Sequence, residues 1–167
     1  MIRWIVGIAV TDDVNRRGDR FMLEPGAVGW KLPIPLLMAD RPTPIGTVQR
    51  LMRPAGRLLF TAALREEAPF WREMCTGECT GVAIGFNVRK CHRNAFGGLT
   101  FDRWRIEDIA LLPPGWPRQD RGAQIMSVFE DVTEVHRVLY VGPEERKRTP
   151  RPEVEIKRLL EGGRAVH

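Results

Sequence analysis

The sequence predicts a mostly β domain with flanking helices, an α+β class, followed by a short tail. Two observations carry that expectation. Short runs rich in Val, Ile, Leu and aromatic residues recur along the chain, and clusters of Gly, Pro, Asp and Asn, which supply turn geometry, separate them. Helical spacing of apolar residues is confined to two stretches. A chain of 167 residues suits one hydrophobic core, and 43% apolar with 28% charged residues is a globular balance rather than that of a disordered chain. We therefore divide it into a domain over residues 1–141 and a Pro-rich, charged linker with a short helical tail over residues 142–167.

Arg3 to Val10 is rich in Ile, Val and Trp and alternates poorly, so it reads as a buried strand stopped by Thr11-Asp12-Asp13 and by the Arg17-Gly18-Asp19 turn. Leu23 to Ala27 forms a turn. Pro33 to Met38 reads as an edge strand, because proline has no N–H to donate to a ladder. Thr47–Met52 and Arg57–Ala63 form a hairpin around Arg53-Pro54-Ala55-Gly56. Arg65 to Cys75 spaces its apolar residues as a helix, with Glu66 and Glu67 favourable at its start and Gly77 at its end. Gly81–Val88 and Phe101–Leu112 are strands joined through the Asn94–Gly98 turn, and Ala123–Val128 is a further strand. Val132–Val141 is the last apolar stretch of the domain. Glu153–Glu161 can form a short helix stopped by Gly162-Gly163.

The start of the chain, Met1 to Val10, is interrupted by Arg3 and runs into acids, unlike a signal peptide, and no run approaches the length needed to span a bilayer. The expectation is a soluble intracellular protein without membrane contact. Three cysteines suit a reducing compartment. The formal charge of +5 admits nucleic acid as a partner, but the arginines are scattered among acids in the sequence, and a solvated basic surface is the simpler reading.

Cys75-x₃-Cys79 with Cys91-His92 could supply four zinc ligands, yet the spacing lacks a C-x₂-C knuckle, and buried free thiols are preferred. No cofactor or metal is expected. Ser127 is the sole serine, placed on an apolar strand, and the histidines are His92, His136 and His167. The five tryptophans are dispersed and suit packing rather than base stacking.

Four segments in order resemble the prohead maturation serine proteases of tailed bacteriophages, a family related to the herpesvirus assemblin proteases. Asp19 with Pro25-Gly26-Ala27 is similar to that family's early Asp and Pro-Gly-Ala turn. Pro35 to Gly46 is similar to the segment in which two leucines precede a catalytic His-Asp pair. Gly81-Val82-Ala83-Ile84-Gly85-Phe86 resembles Gly-Leu-Ser-Ile-Gly-Phe, which carries the nucleophile. Ile106 to Pro113 resembles an acidic-Val-Ser-Leu-Val-Pro segment, with Ala123-Gln124-Ile125 as the closing strand.

The resemblance implies a compact β-barrel flanked by helices. It also implies a degenerate site: Ala39 stands where the family has its base and Ala83 where it has its nucleophile, leaving Asp108, or less favourably Glu107, as an acidic partner. Cys79 cannot replace the nucleophile, since four strand residues span roughly 13 Å. Ala110 stands where the family has a further, non-catalytic serine, which favours natural loss over deliberate inactivation of a working maturation protease. The partners implied are the major capsid protein, scaffold or portal of a phage, with homo-oligomers also compatible. The implied place is the host cytoplasm during assembly and then the prohead or virion. Ile156, Leu159 and Leu160 of the tail form an apolar stripe suited to docking a partner.

Overall fold

The computed structural model describes residues 2–54 and 56–130. They form a single nine-stranded sheet and one short helix. The strands are β1 (Arg3–Thr11), β2 (Arg20–Phe21), β3 (Val28–Gly29), β4 (Ile34–Met38), β5 (Gly46–Met52), β6 (Arg57–Leu64), β7 (Val82–Arg93), β8 (Leu99–Leu111) and β9 (Gln124–Phe129). The helix, α1 (Trp71–Thr76), lies between β6 and β7.

The ladder runs β2-β8-β4-β5-β6-β1-β9, and β3 and β7 also pair with β8. Hairpins make β5, β6 and their neighbour β1 antiparallel, whereas β4 joins β8 in parallel. The sheet is open rather than the closed barrel expected. Its ends approach each other at the isolated bridge Gly81↔Gln124, flanked by backbone bonds from Val82 N–H to Ala123 and from Ile125 N–H to Thr80.

One main core lies on one side of this sheet, with Ile5, Leu36, Met38, Val48, Leu58, Ala62, Ile109 and Leu111 fully buried. Trp104 is in it too, its indole N–H donating to the Met22 carbonyl at 2.9 Å, so the ring's polar atom is satisfied where water is excluded. Strand β1 is buried on both faces because Ile8, Leu59 and Met126 form a second small apolar cluster apart from the main core. That explains why its sequence does not alternate.

Three expectations change. Pro35 lies in an interior strand, not an edge: β4 pairs with β5 over Ile34–Leu36 and with β8 over Leu36–Met38, so the β8 ladder begins one residue after the proline. The helix starts at Trp71 rather than Arg65, because Pro69 disfavours helical geometry at Ala68 and Phe70 takes a left-handed conformation at φ 61°. Its end is as expected. Gly77 adopts φ 82°, and its N–H and that of Glu78 reach back to Met74 and Glu73. Strand β7 continues five residues past Val88, to Arg93. The tail over residues 142–167 and the Val132–Val141 stretch lie outside the described residues.

The loop before β9 is tied to the end of β1 by one carboxylate. Asp120 accepts hydrogen bonds from the Thr11 N–H at 2.6 Å, the Thr11 hydroxyl at 2.9 Å and the Gly122 N–H at 2.9 Å, and Thr11 is buried. Asp120→Ala leaves those donors unmatched and should lower unfolding free energy by about 1–3 kcal/mol, measured by urea denaturation. An unchanged midpoint would show that water replaces the carboxylate at no cost.

Candidate functional site

Three of the segments singled out from the sequence meet at the C-terminal end of β8. Ala110 is paired with Leu37 of β4 on one side and with Ala83 of β7 on the other, so these three side chains form one row across the sheet. They lie on the face opposite buried Val82, Ile109, Leu111 and Met38. Ala39 follows β4 directly. Its N–H donates to the Leu111 carbonyl at 2.9 Å before the chain turns, with the Arg41 N–H reaching back to Met38. Two strand spacings and two residues of stagger separate Ala39 from Ala83, about 12 Å between Cα atoms in a flat sheet. Only a long side chain at position 39, crossing the small Ala110, spans that gap.

The acid of this patch is Asp108. It pairs with Gly85, two residues along β7 from Ala83, and accepts a hydrogen bond from the Gly85 N–H at 3.1 Å. The absence of a side chain at Gly85 is required: a Cβ there would overlap the Asp108 carboxylate, lying 2.6 Å from its Cγ. Burial pushes the Asp108 carboxyl above the usual carboxylate range, and neighbouring Glu107 adds to the rise, while the Gly85 hydrogen bond opposes it. Glu107 itself is the extra residue where the β7–β8 register shifts, and its carboxylate turns to Arg105 at 3.6 Å. Asp108, not Glu107, therefore faces Ala83 and Ala110.

The chemistry available here is limited. Alanine methyl groups at 39, 83 and 110 neither attack a carbonyl nor carry a proton. A cleft of about 230 Å³ runs beside the start of β7, with Ala83, Phe86, Phe21, Arg17, Asp19 and Asp120 among its walls. No described wall residue is Ser, Thr, Cys or His. Its two acids are engaged in holding the fold, Asp120 with Thr11 and Asp19 with the Leu99 N–H at 2.9 Å.

The remaining candidates stand elsewhere. Ser127 is in β9 opposite Val6. His92 lies ten residues along β7 from Val82, roughly 33 Å for an extended strand, and its Nδ1 is 2.7 Å from Asp102. His136 and His167, like Ile156, Leu159 and Leu160, lie outside the described residues. Cys79 is buried, its thiol donating to the Leu112 carbonyl at 3.2 Å, and burial with help from Glu73 pushes it up to about 11. It is a packed, unreactive thiol at neutral pH. Cys75, exposed at the end of α1, is raised as well, chiefly by desolvation. Cys91 is exposed and paired with Phe101, near the end of β7 remote from Cys75 and Cys79. Among the described residues no group of three or more His, Cys, Asp and Glu gathers to hold a metal ion.

The raised carboxyl gives a pH signature. A folded value above the unfolded one means that ionised Asp108 opposes folding. Its favourable contribution is complete below the ordinary carboxylate range and is lost as pH rises through the raised value. Asp108→Asn keeps an acceptor for the Gly85 N–H but cannot ionise, so its stability should fall less than the parent's between about pH 4 and 7. Thermal melts of the two across that range would check it. Parallel curves would mean that Asp108 is solvated.

No protein-family model matches the chain, and no curated protein matches it. Among solved structures it is similar to KSHV protease, crystallised in complex with a hexapeptide phosphonate inhibitor, with a TM-score of 0.53 at 12% sequence identity over 98% of this chain and 78% of that one. At that identity the likeness is one of fold: the chain is β-rich and has a distantly protease-like fold.

Proposed function

We propose that this chain is a phage head-assembly protein built on a prohead-protease fold that binds capsid, scaffold or portal subunits in the assembling head without cleaving them. The observation that carries this reading is the meeting of β4, β7 and β8. The segments that resemble the base-bearing, nucleophile-bearing and acid-bearing parts of a prohead protease run side by side there, with alanine at the two positions that do the chemistry. The fold likeness to a viral protease supports it. A binding surface can outlast catalysis, because function resides in sites carried on a fold.

The rival reading, a working maturation protease, needs a nucleophile with a base in reach. Neither stands beside Ala83 among the described residues, and loss of either member of such a pair costs on the order of 10⁶ in turnover.

The purified chain should leave cognate capsid and scaffold proteins intact and should not label with serine-directed phosphonates. Ala39→His with Ala83→Ser should restore no cleavage in this arrangement, because the roughly 12 Å between the two Cα atoms exceeds the about 10 Å over which a histidine and a serine share a hydrogen bond. Cleavage by the double variant would show that the turn after β4 brings residue 39 closer to residue 83. Labelling of Ser127 that tracked with cleavage by the parent chain would overturn the non-cleaving reading.

The tail is proposed as the docking arm, through Ile156, Leu159 and Leu160. Deletion of residues 143–167 should leave the thermal midpoint nearly unchanged and reduce incorporation into particles. A large loss of folded protein would place the tail in the core instead.

A further inference from the structure

The β7–β8 hairpin carries five cations, Arg89, Lys90, Arg93, Arg103 and Arg105, against three acids, Asp102, Glu107 and Asp108, and its cations cluster between residues 89 and 105. Arg103 and Arg105 alternate with buried Trp104, so both project from the outward face, and Lys90 is paired directly with Arg103 across the two strands. Like charges at such a position repel and cost stability. Among the described residues Arg89, Lys90, Arg93 and Arg103 make no ion pair, while Glu107 pairs with Arg105 and Asp102 is hydrogen-bonded to His92.

A common use of edge-strand cations is to block pairing with other sheets, and that accounts for Arg89 and Lys90 on β7. It does not account for Arg103, which is on β8, a strand with neighbours on both edges. The arm is also held in place. Asn94 Nδ2 donates to the Gly18 carbonyl at 2.8 Å, and Asp19 accepts from the Leu99 N–H, anchoring the tip to a loop that adds exposed Arg16 and Arg17.

We infer that the outward face of the β7–β8 hairpin is a docking surface for duplex DNA, holding its phosphates rather than reading its bases. Because β8 also pairs with β2 and β3, the hairpin offers a sheet face rather than a ribbon inserted in a groove, and cations on both strands of that face match rows of phosphates. A duplex fits better than a single strand. Of the exposed aromatics on the arm, Phe86 is packed edge-on against Phe21 at 4.8 Å, and Phe96 stands alone at the turn, so there is no row of free rings for stacking bases. This inference rests on charge and register and is independent of the head-assembly reading.

The test is fluorescence anisotropy of a labelled random-sequence duplex with the full chain across a salt series. The parent should bind with a steep salt dependence. Replacing Arg89, Lys90, Arg93 and Arg103 by Gln should reduce the log–log slope by about 3–4, at roughly 0.9 for each phosphate no longer neutralised. The same variant should melt no lower than the parent, because Lys90 and Arg103 no longer repel. A control with the same charge change at Arg41, Arg57, Arg65 and Arg72 should keep the slope. Absence of binding at low salt, an equal loss in the control, or equally tight binding of a poly-glutamate chain at matched charge would each overturn the inference.

Discussion

Strand β8 is hydrogen-bonded along both edges, to β7 on one side and to β2, β3 and β4 in turn on the other, and the arrangement of the molecule follows from that double pairing. Each backbone N–H and C=O removed from water must find a partner, and a thirteen-residue strand with neighbours on both sides satisfies most of its own while supplying partners to four others. The core is the consequence. Phe101, Trp104, Ile106, Ile109 and Leu111 are all buried from this one strand, and segments as distant in sequence as Phe21, Leu36 and Val82 reach the core by pairing with it. The register irregularities along β7 and β8 keep the apolar side inward through a change of parity, from Trp104 and Ile106 to Ile109 and Leu111.

That change of parity defines the candidate site. The extra residue at Glu107 turns Glu107 toward Arg105 and leaves Asp108 on the same face as Ala110. Opposite it, Gly85 makes room for the carboxylate and contributes the N–H that holds it. A partly desolvated carboxylate with one backbone donor is a costly group to keep on a sheet surface unless something uses or used it. Beside it, alanine at both 83 and 110 leaves a chemically inert floor. The retained acid beside missing reactive groups is the feature on which the proposed non-cleaving reading rests.

Much of the β framework was legible in the sequence, for local reasons. The hairpin of β5 and β6 is set by Pro and Gly at its turn, the Asn94–Gly98 turn by the residue types that tolerate it, and β1 and β9 by dense β-branched runs. The parts that were not legible depend on long-range pairing. Arg89 to Arg93 has no apolar face of its own, so only the partner strand β8 extends β7 through it. Pro35 reads as an edge signal, and its interior placement depends on where the β8 ladder begins. An open sheet and a closed barrel share the same strand sequence and differ in whether two ends meet over many residues or at one bridge. At the site, the resemblance marked Asp108 and Glu107 together, and only the bulge separates them.

The charge pattern shows the same limit in another form. Read along the chain, Arg103 sits next to Asp102 and Lys90 lies a dozen residues away, which looks like a well-mixed surface. Across the strands the neighbours change: Lys90 faces Arg103, while Asp102 is taken by His92. Strand pairing thus brings together like charges that the sequence keeps apart, because a register places residues by partner rather than by sequence distance. The two ends of β8 consequently differ in character. The C-terminal end carries a small, uncharged floor beside one carboxylate, and the N-terminal half carries unneutralised cations on a braced hairpin. A protein that binds at both could hold a protein surface with one end of the strand and a polyanion with the other, without either partner obstructing its neighbour.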